Sequence, residues 1–387
     1  MFNKMPVFLL IFVIVMGFCH EWIPTDAKSV FYALSLSIKS IVIFLLPFLI
    51  FGLIFKTSAN LARKSSKVIL WIIGAICLSN FCTITMSYFM GSIAYKLDLS
   101  MQLPENAREL FPAWDFSLPK LIANDKAMFS GVIMGLIMGW FFPGVASKIS
   151  EKAEKFVNVI LKAFLILVPV FIMGFILKMY HEKQMFYILS NYSLIFSLIA
   201  ATLFSYIAFL YLLTNRFNVP AAFRSAKNML PAGITGFGSM SSAAALPFSI
   251  LGAEKNADNP DLAKSIVPVT VNIHLIADCI AIPVFAFAIL KSFGLPDPSY
   301  YSYFIFTLFF MMAKFSVAGV PGGSVLVMLP ILEKYLGLNG TMLSLITALY
   351  MLFDPVITFG NVMGNGAFAV GLSKLFGRSV PATSENA

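Results

Sequence analysis

The sequence predicts an all-α integral membrane protein, with eight transmembrane helices and two re-entrant helical hairpins arranged as inverted repeats. Three observations carry that expectation. The chain is 59% hydrophobic and only 12% charged, more apolar sequence than a water-soluble core can use. Long apolar runs are separated by loops in which basic residues cluster on one side of the expected membrane. Two further apolar stretches are interrupted by Gly, Ser and Pro and cannot continue as ordinary helices.

The first apolar run, Pro6–Cys19, is read as a retained span, because no small-x-small cleavage site follows it. Span 2 is Tyr32–Phe55, where Pro47 and Gly52 imply a kink or close packing. Lys56–Lys67 holds four basic residues and no acid, the clearest cytoplasmic loop. Span 3, Val68–Ala94, carries Asn80, Thr83, Thr85 and Ser87, a polar patch expected to face a cavity. The loop 96–126 sets five acids against four bases and is expected outside. Span 4, Ala127–Phe142, has Gly131, Gly135 and Gly139 at four-residue spacing, a face made for close helix packing. Lys148, Lys152 and Lys155 then mark the inside, before span 5 at Phe156–Met179 and span 6 at Met185–Leu213. Arg216, Arg224 and Lys227 return the chain to the cytoplasm.

Beyond residue 227 the pattern changes. Ala232–Leu251 is broken by Gly and Ser and returns to a polar loop at Gly252–Lys264. Span 7 is expected at Ser265–Leu290. A second broken stretch, Tyr303–Leu336, has G-V-P-G-G-S at its centre, and the last span is Thr341–Leu375. Each interrupted segment precedes one full span. That is the layout of a secondary transporter whose helices break at the binding site.

The formal net charge of +9 does not indicate nucleic acid, since the bases sit in short loops where they orient the chain in the lipid bilayer. Cys19, Cys77, Cys82 and Cys279 lie in or beside apolar runs without metal-ligand spacing. No catalytic triad, metal cluster or phosphate loop stands out, so an enzyme is not expected, nor a resident cofactor.

The stretch richest in chemistry is Asp354–Asn365, D-P-V-I-T-F-G-N-V-M-G-N, inside the last span. Asp354, Thr358, Asn361 and Asn365 fall on one helical face at spacings of 4, 3 and 4. A carboxylate at membrane depth is costly and marks a substrate or ion path. The alternative is an interfacial Asp354 with the amides joining helices.

T-G-F-G-S-M-S-S-A-A-A-L-P-F-S (Thr235–Ser249) resembles the serine-rich first hairpin tip of the dicarboxylate/amino acid:cation symporter family, whose pattern is close to T-A-F-S-T-S-S-S-A-A-T-L-P-V-T. A-K-F-S-V-A-G-V-P-G-G-S (Ala313–Ser324) resembles the second tip, and the Asp354 stretch resembles the last helix, D-x-x-x-T-x-x-N-V-x-G-D. The resemblance covers residues 227–378 best. It implies a homotrimer in the bacterial inner membrane with both termini cytoplasmic. Scaffold spans would occupy 1–67 and, with the outer loop, 96–180. A moving transport unit would comprise 68–95, 181–226, hairpin 1 (227–264), span 7 (265–292), hairpin 2 (302–338) and span 8 (341–378), with a disordered tail at 379–387.

By the same resemblance, substrate is held by Ser241, Ser242, Val320, Pro321, Gly322, Asp354, Thr358 and Asn361. Asp354 would take an α-amino group, which suggests an amino acid. Relatives that carry acidic amino acids have an Arg where this chain has Ile357, so a small neutral side chain fits better. Asn365 stands where relatives hold sodium with an Asp, and His274–Asp278 replaces a sodium-binding N-M-D-G-T, unless the match slips and Asn272 becomes the ligand. Asn361 and Asn365 remain as a weak sodium site. His274 and Asp278, four residues apart and facing each other on a helix, suggest proton coupling instead. The coupling ion is thus H+ or Na+. Asp278 is also a candidate for lining the substrate pocket. Lys314, near the second tip, is expected to be structural or to snorkel outward. The expected function is import of a small neutral amino acid on a cation gradient by alternating access. A dicarboxylate or organic anion symporter, and an uncoupled channel-like or sensory protein on the same fold, remain open.

Overall fold

A computed structural model of the chain describes residues 15, 19–63, 67–97, 109–119, 121–317 and 322–376. Every regular element among these residues is helical. After a 3-10 turn at His20–Trp22 come α1 (Thr25–Arg63), α2 (Lys67–Lys96), α3 (Asn124–Phe141), α4 (Pro143–His181), α5 (Gln184–Thr214) and α6 (Val219–Ser239). They are followed by α7 (Ser242–Asn256), α8 (Pro260–Thr270), α9 (Ile276–Ser292), α10 (Tyr300–Lys314), α11 (Gly323–Leu336) and α12 (Gly340–Phe376). Three of the described helical segments, Trp71–Lys96, Tyr192–Thr214 and Gly340–Leu375, are long and apolar enough to cross a membrane. The first expected span, Pro6–Cys19, and the expected tail fall almost wholly outside the described residues.

α1 packs along α3 and α4, whereas α2 and α5–α12 pack mainly among themselves. The glycine face of α3 works as its spacing predicts. A Cβ on Gly135 would stand 2.7 Å from the Phe55 carbonyl oxygen, and one on Gly139 would stand 2.7 Å from that of Ala59. Backbone-to-backbone approach of this kind tolerates no side chain. The outer faces of α3 and α4 expose Ile133, Ile137, Trp140, Val159 and Ile166. Large exposed apolar surface of that kind suits lipid or another subunit rather than water.

Both interrupted stretches form antiparallel helical hairpins. In the first, Met240 turns the chain in the left-handed conformation, φ 50°, between α6 and α7. Asn228 Nδ2 donates to Asn256 Oδ1 at 2.7 Å and ties the open end. In the second, Phe309 of α10 stacks on Tyr335 of α11 at 4.3 Å between ring centroids. Residues 318–321 of its turn lie outside the described residues.

Three expectations need correction. Helix α1 runs through to Arg63, so most of the basic stretch expected as a loop is helical. Most of the polar patch of α2 is taken up in bonds to other helices rather than held open. Asn80 binds the Ile273 carbonyl at 2.8 Å, Thr83 donates to the Tyr206 hydroxyl at 3.1 Å, and Ser87 pairs with the Tyr303 hydroxyl at 2.7 Å. Span 7 is not continuous, because α8 ends at Thr270 and α9 begins at Ile276. The run V-P-V-T-V-N-I-H explains the break: β-branched residues disfavour helix, and Pro268 leaves the helix without one donor.

Replacing Gly139 by Leu forces α3 away from α1. Overpacking of this kind costs about 1–3 kcal/mol. The purified variant is expected to melt at a lower temperature than the parent, while Gly144→Leu, where a Cβ meets nothing within 4 Å, should leave the midpoint near that of the parent.

Candidate functional site

The unwound residues 271–275 place the free N-terminus of α9 against the middle of α12. Two α12 glycines permit the approach. A Cβ on Gly364 would collide with the Ile276 side chain, and one on Gly360 would stand 2.9 Å from Ala277 Cβ. The first turn of α9 has backbone donors without intrahelical acceptors. Asn361 supplies one from another helix, since its Oδ1 accepts the Ala277 N–H at 2.9 Å. Its Nδ2 donates to Asp278 Oδ2 at 2.8 Å. One carboxamide therefore caps α9 and holds the carboxylate in its first turn, where the helix dipole favours negative charge.

Asp278 is fully buried. The Tyr350 hydroxyl donates to its Oδ1 at 2.6 Å, and the Lys314 ammonium lies 3.5 Å from Oδ2. Lys314 is also fully buried, at the C-terminal end of α10, with Phe310 under the ammonium at 5.0 Å. It does not snorkel. The negative end of α10 and the positive end of α9 thus each carry the opposite charge, and the two ends meet.

Asp354, 2% exposed, accepts the Gly322 N–H on Oδ2 at 2.9 Å and the Thr358 hydroxyl on Oδ1 at 3.0 Å. The backbone amide comes from the second hairpin, whose tip therefore closes on α12. Gly322 has φ 68°, and a Cβ there would run into the Met351 thioether. The left-handed φ favours glycine, whereas the end of the flexible Met351 side chain could move aside. Val320 and Pro321, expected to bind substrate, lie outside the described residues. On the first hairpin, Gly233 packs on Phe359 and Met363, and Gly236 on Val362 and Thr358. That register carries the tip toward the level of Asp354. Ser241 caps α7 by accepting the Ala244 N–H at 3.2 Å, and Ser242 is buried.

His274 does not face Asp278. The pairing assumed a continuous helix, and the chain is unwound at His274. Its Nδ1 instead pairs with Asn365 Oδ1 at 3.1 Å, its Nε2 with the Ser79 hydroxyl at 2.9 Å, and its ring stacks on Phe368 at 4.0 Å. Asn365 Oδ1 is an acceptor, so Nδ1 carries the proton in this arrangement. The expected substrate and coupling residues thus form two linked groups: Asp354, Thr358 and Gly322, and Asp278, Asn361 and Lys314 with Tyr350. His274 and Asn365 form a third, shared with Ser79. Tyr350 and Ser79 were missed. Tyr350 lies four residues before Asp354, on the same face of α12, and that spacing was the signal available in the sequence.

The profile of the sodium:dicarboxylate symporter family matches residues 7–375. The chain belongs to this family. With membership comes a coarse function: a transporter that moves a small-molecule substrate with a coupling cation, rather than an enzyme. Among curated proteins, none matches the chain.

Asn361→Ala leaves the Ala277 N–H and one Asp278 oxygen without their partner. The expected loss is about 1–3 kcal/mol, read as a lower melting midpoint of the purified protein. Asn361→Asp keeps an acceptor for Ala277 but sets a second carboxylate against Asp278, and is expected to be the more damaging change.

Proposed function

We propose that the protein imports a small neutral amino acid, driven by a cation gradient, with Asp354 receiving the substrate's ammonium group. The observation that carries this reading is the environment of Asp354. Its carboxylate is buried, and among the described residues its hydrogen-bond donors, Gly322, Thr358 and Tyr350, are uncharged. A buried carboxylate without a countercharge is costly, and an ammonium group supplies one. Ser241 and Ser242 at the first hairpin tip then offer hydroxyl donors to the substrate carboxylate.

The family's description names dicarboxylates. A dicarboxylate at this site would bring its negative charge to Asp354 with no cation in return. Ile357 is apolar and fully buried, and the Lys314 ammonium is paired with Asp278. Both features disfavour a second substrate carboxylate.

Transport proceeds by alternating access. The body of α1, α3 and α4 serves as scaffold in a trimer. The body of α2 and α5–α12 moves, and the second hairpin acts as gate. Lys39 of α1 donates to the Gly340 carbonyl at 2.7 Å and to Ser344 Oγ at 3.1 Å, a link between the two bodies that movement must break. Both termini face the cytoplasm, and the membrane is the bacterial inner membrane.

A melting screen of the purified protein against alanine, serine, glutamate and succinate tests the substrate. Small neutral amino acids are expected to raise the midpoint by mass action. A response to succinate or glutamate alone would overturn the reading. Asp354→Asn should weaken binding roughly tenfold to a hundredfold, as expected for losing about 1.5–3 kcal/mol of charged hydrogen bonding. In proteoliposomes, counterflow of labelled substrate separates a carrier from a channel or sensor, which would show none.

A further inference from the structure

The family's description implies sodium, and the surroundings of Asp278 do not fit a sodium ion. A sodium ion takes several oxygen ligands with lone pairs directed at it. Asn361 Oδ1 accepts the Ala277 N–H, and Asn365 Oδ1 accepts from His274. Among the described residues of the unwound stretch, Asn272 Oδ1 is a buried side-chain oxygen without a hydrogen-bond partner, one free ligand where a sodium ion takes several. Asp278, the carboxylate of this junction, has both oxygens engaged, and an ammonium stands 3.5 Å from one of them.

Lys314 is what a structural account leaves unexplained. An ammonium offers three donors, yet its Nζ has no hydrogen-bond partner. Burying it fully must be offset by something, and what stands against it is the charge of Asp278 and the face of Phe310. The contact is one of charge rather than of directed hydrogen bonds.

We propose that Lys314 is a resident cation: tethered to the second hairpin, it compensates Asp278 permanently, in the place of a metal ion. Asp278 then needs no sodium at any stage. The cation is carried by the hairpin itself, so opening the tip and separating charge at Asp278 are coupled movements. Asp354 remains the carboxylate whose countercharge must come from outside. The inference rests on the family assignment and not on the identity of the substrate.

The test uses the full-length purified protein without substrate, melted in sodium chloride, methylammonium chloride or choline chloride at equal ionic strength. The parent is expected to melt at the same temperature in all three. Lys314→Met leaves Asp278 uncompensated. It is expected to melt lower in choline and to recover by about 3 °C or more in sodium or methylammonium. Lys314→Met combined with Asp278→Asn removes both charges and is expected to ignore the choice of cation. If Lys314→Met alone does not accumulate while the double variant does, charge compensation is again its role. A Lys314→Met protein that melts identically in all three salts would overturn the proposal. So would a parent stabilised by sodium in a way that Asp278→Asn abolishes, or failure of both the single and the double variant to accumulate, since neutralising Asp278 should then have rescued the fold.

Discussion

The arrangement depends on one carboxamide. Asn361 accepts from the backbone at the start of α9 and donates to Asp278 in the same turn. Together with the His274–Asn365 pair, that bridge holds the unwound residues 271–275 in register on α12. A broken helix inside an apolar body is stable only where other groups satisfy its backbone. Asn80 performs the same service from α2, binding the Ile273 carbonyl. Two side-chain amides, from two helices, thus take over hydrogen bonds that a continuous helix would make for itself.

Charge is distributed with the same economy. Asp278 and Lys314 sit at the facing ends of α9 and α10, where each helix dipole favours the charge it carries. Asp354 lies in the middle of α12 and meets only the partial positive charge at the start of α11, whose N-cap is Gly322. Its carboxylate is served by a neutral backbone amide and a hydroxyl. The contrast separates a carboxylate that the fold has neutralised from one that it has left in want of charge. Only the second is suited to recognising a cationic group that comes and goes.

Much of the fold could be read from the residues. Gly131, Gly135 and Gly139 announced the packing of α3, because glycine at four-residue spacing has a single steric meaning in a helix. Ser and Gly around residue 240, and G-V-P-G-G-S around 321, marked two turns where apolar character alone would have continued the helix. The break at 271–275 was hidden, since hydropathy measures transfer out of water and is blind to the backbone bonds that β-branched residues weaken. The error at His274 followed directly, as a periodicity argument holds only while the helix does. Lys314 was misjudged for another reason. A lone lysine near an apolar terminus looks the same in sequence whether it reaches outward or is buried against a carboxylate on a distant segment. The family profile supports the class of protein, and the two-group arrangement around Asp354 and Asp278 came from the folded chain.

The bond from Gly322 to Asp354 bears on how tightly any ligand can hold. The amide of the chain already occupies one oxygen of the carboxylate that a substrate would use, and it does so with the hairpin tip shut. The apparent dissociation constant is then the intrinsic one divided by the fraction of molecules standing open. If one molecule in about a hundred is open, affinity falls about a hundredfold with every contact intact. Strength at this site is a difference between two occupants, one of which is the protein itself, and a looser tip would raise affinity without touching a single group that meets the ligand.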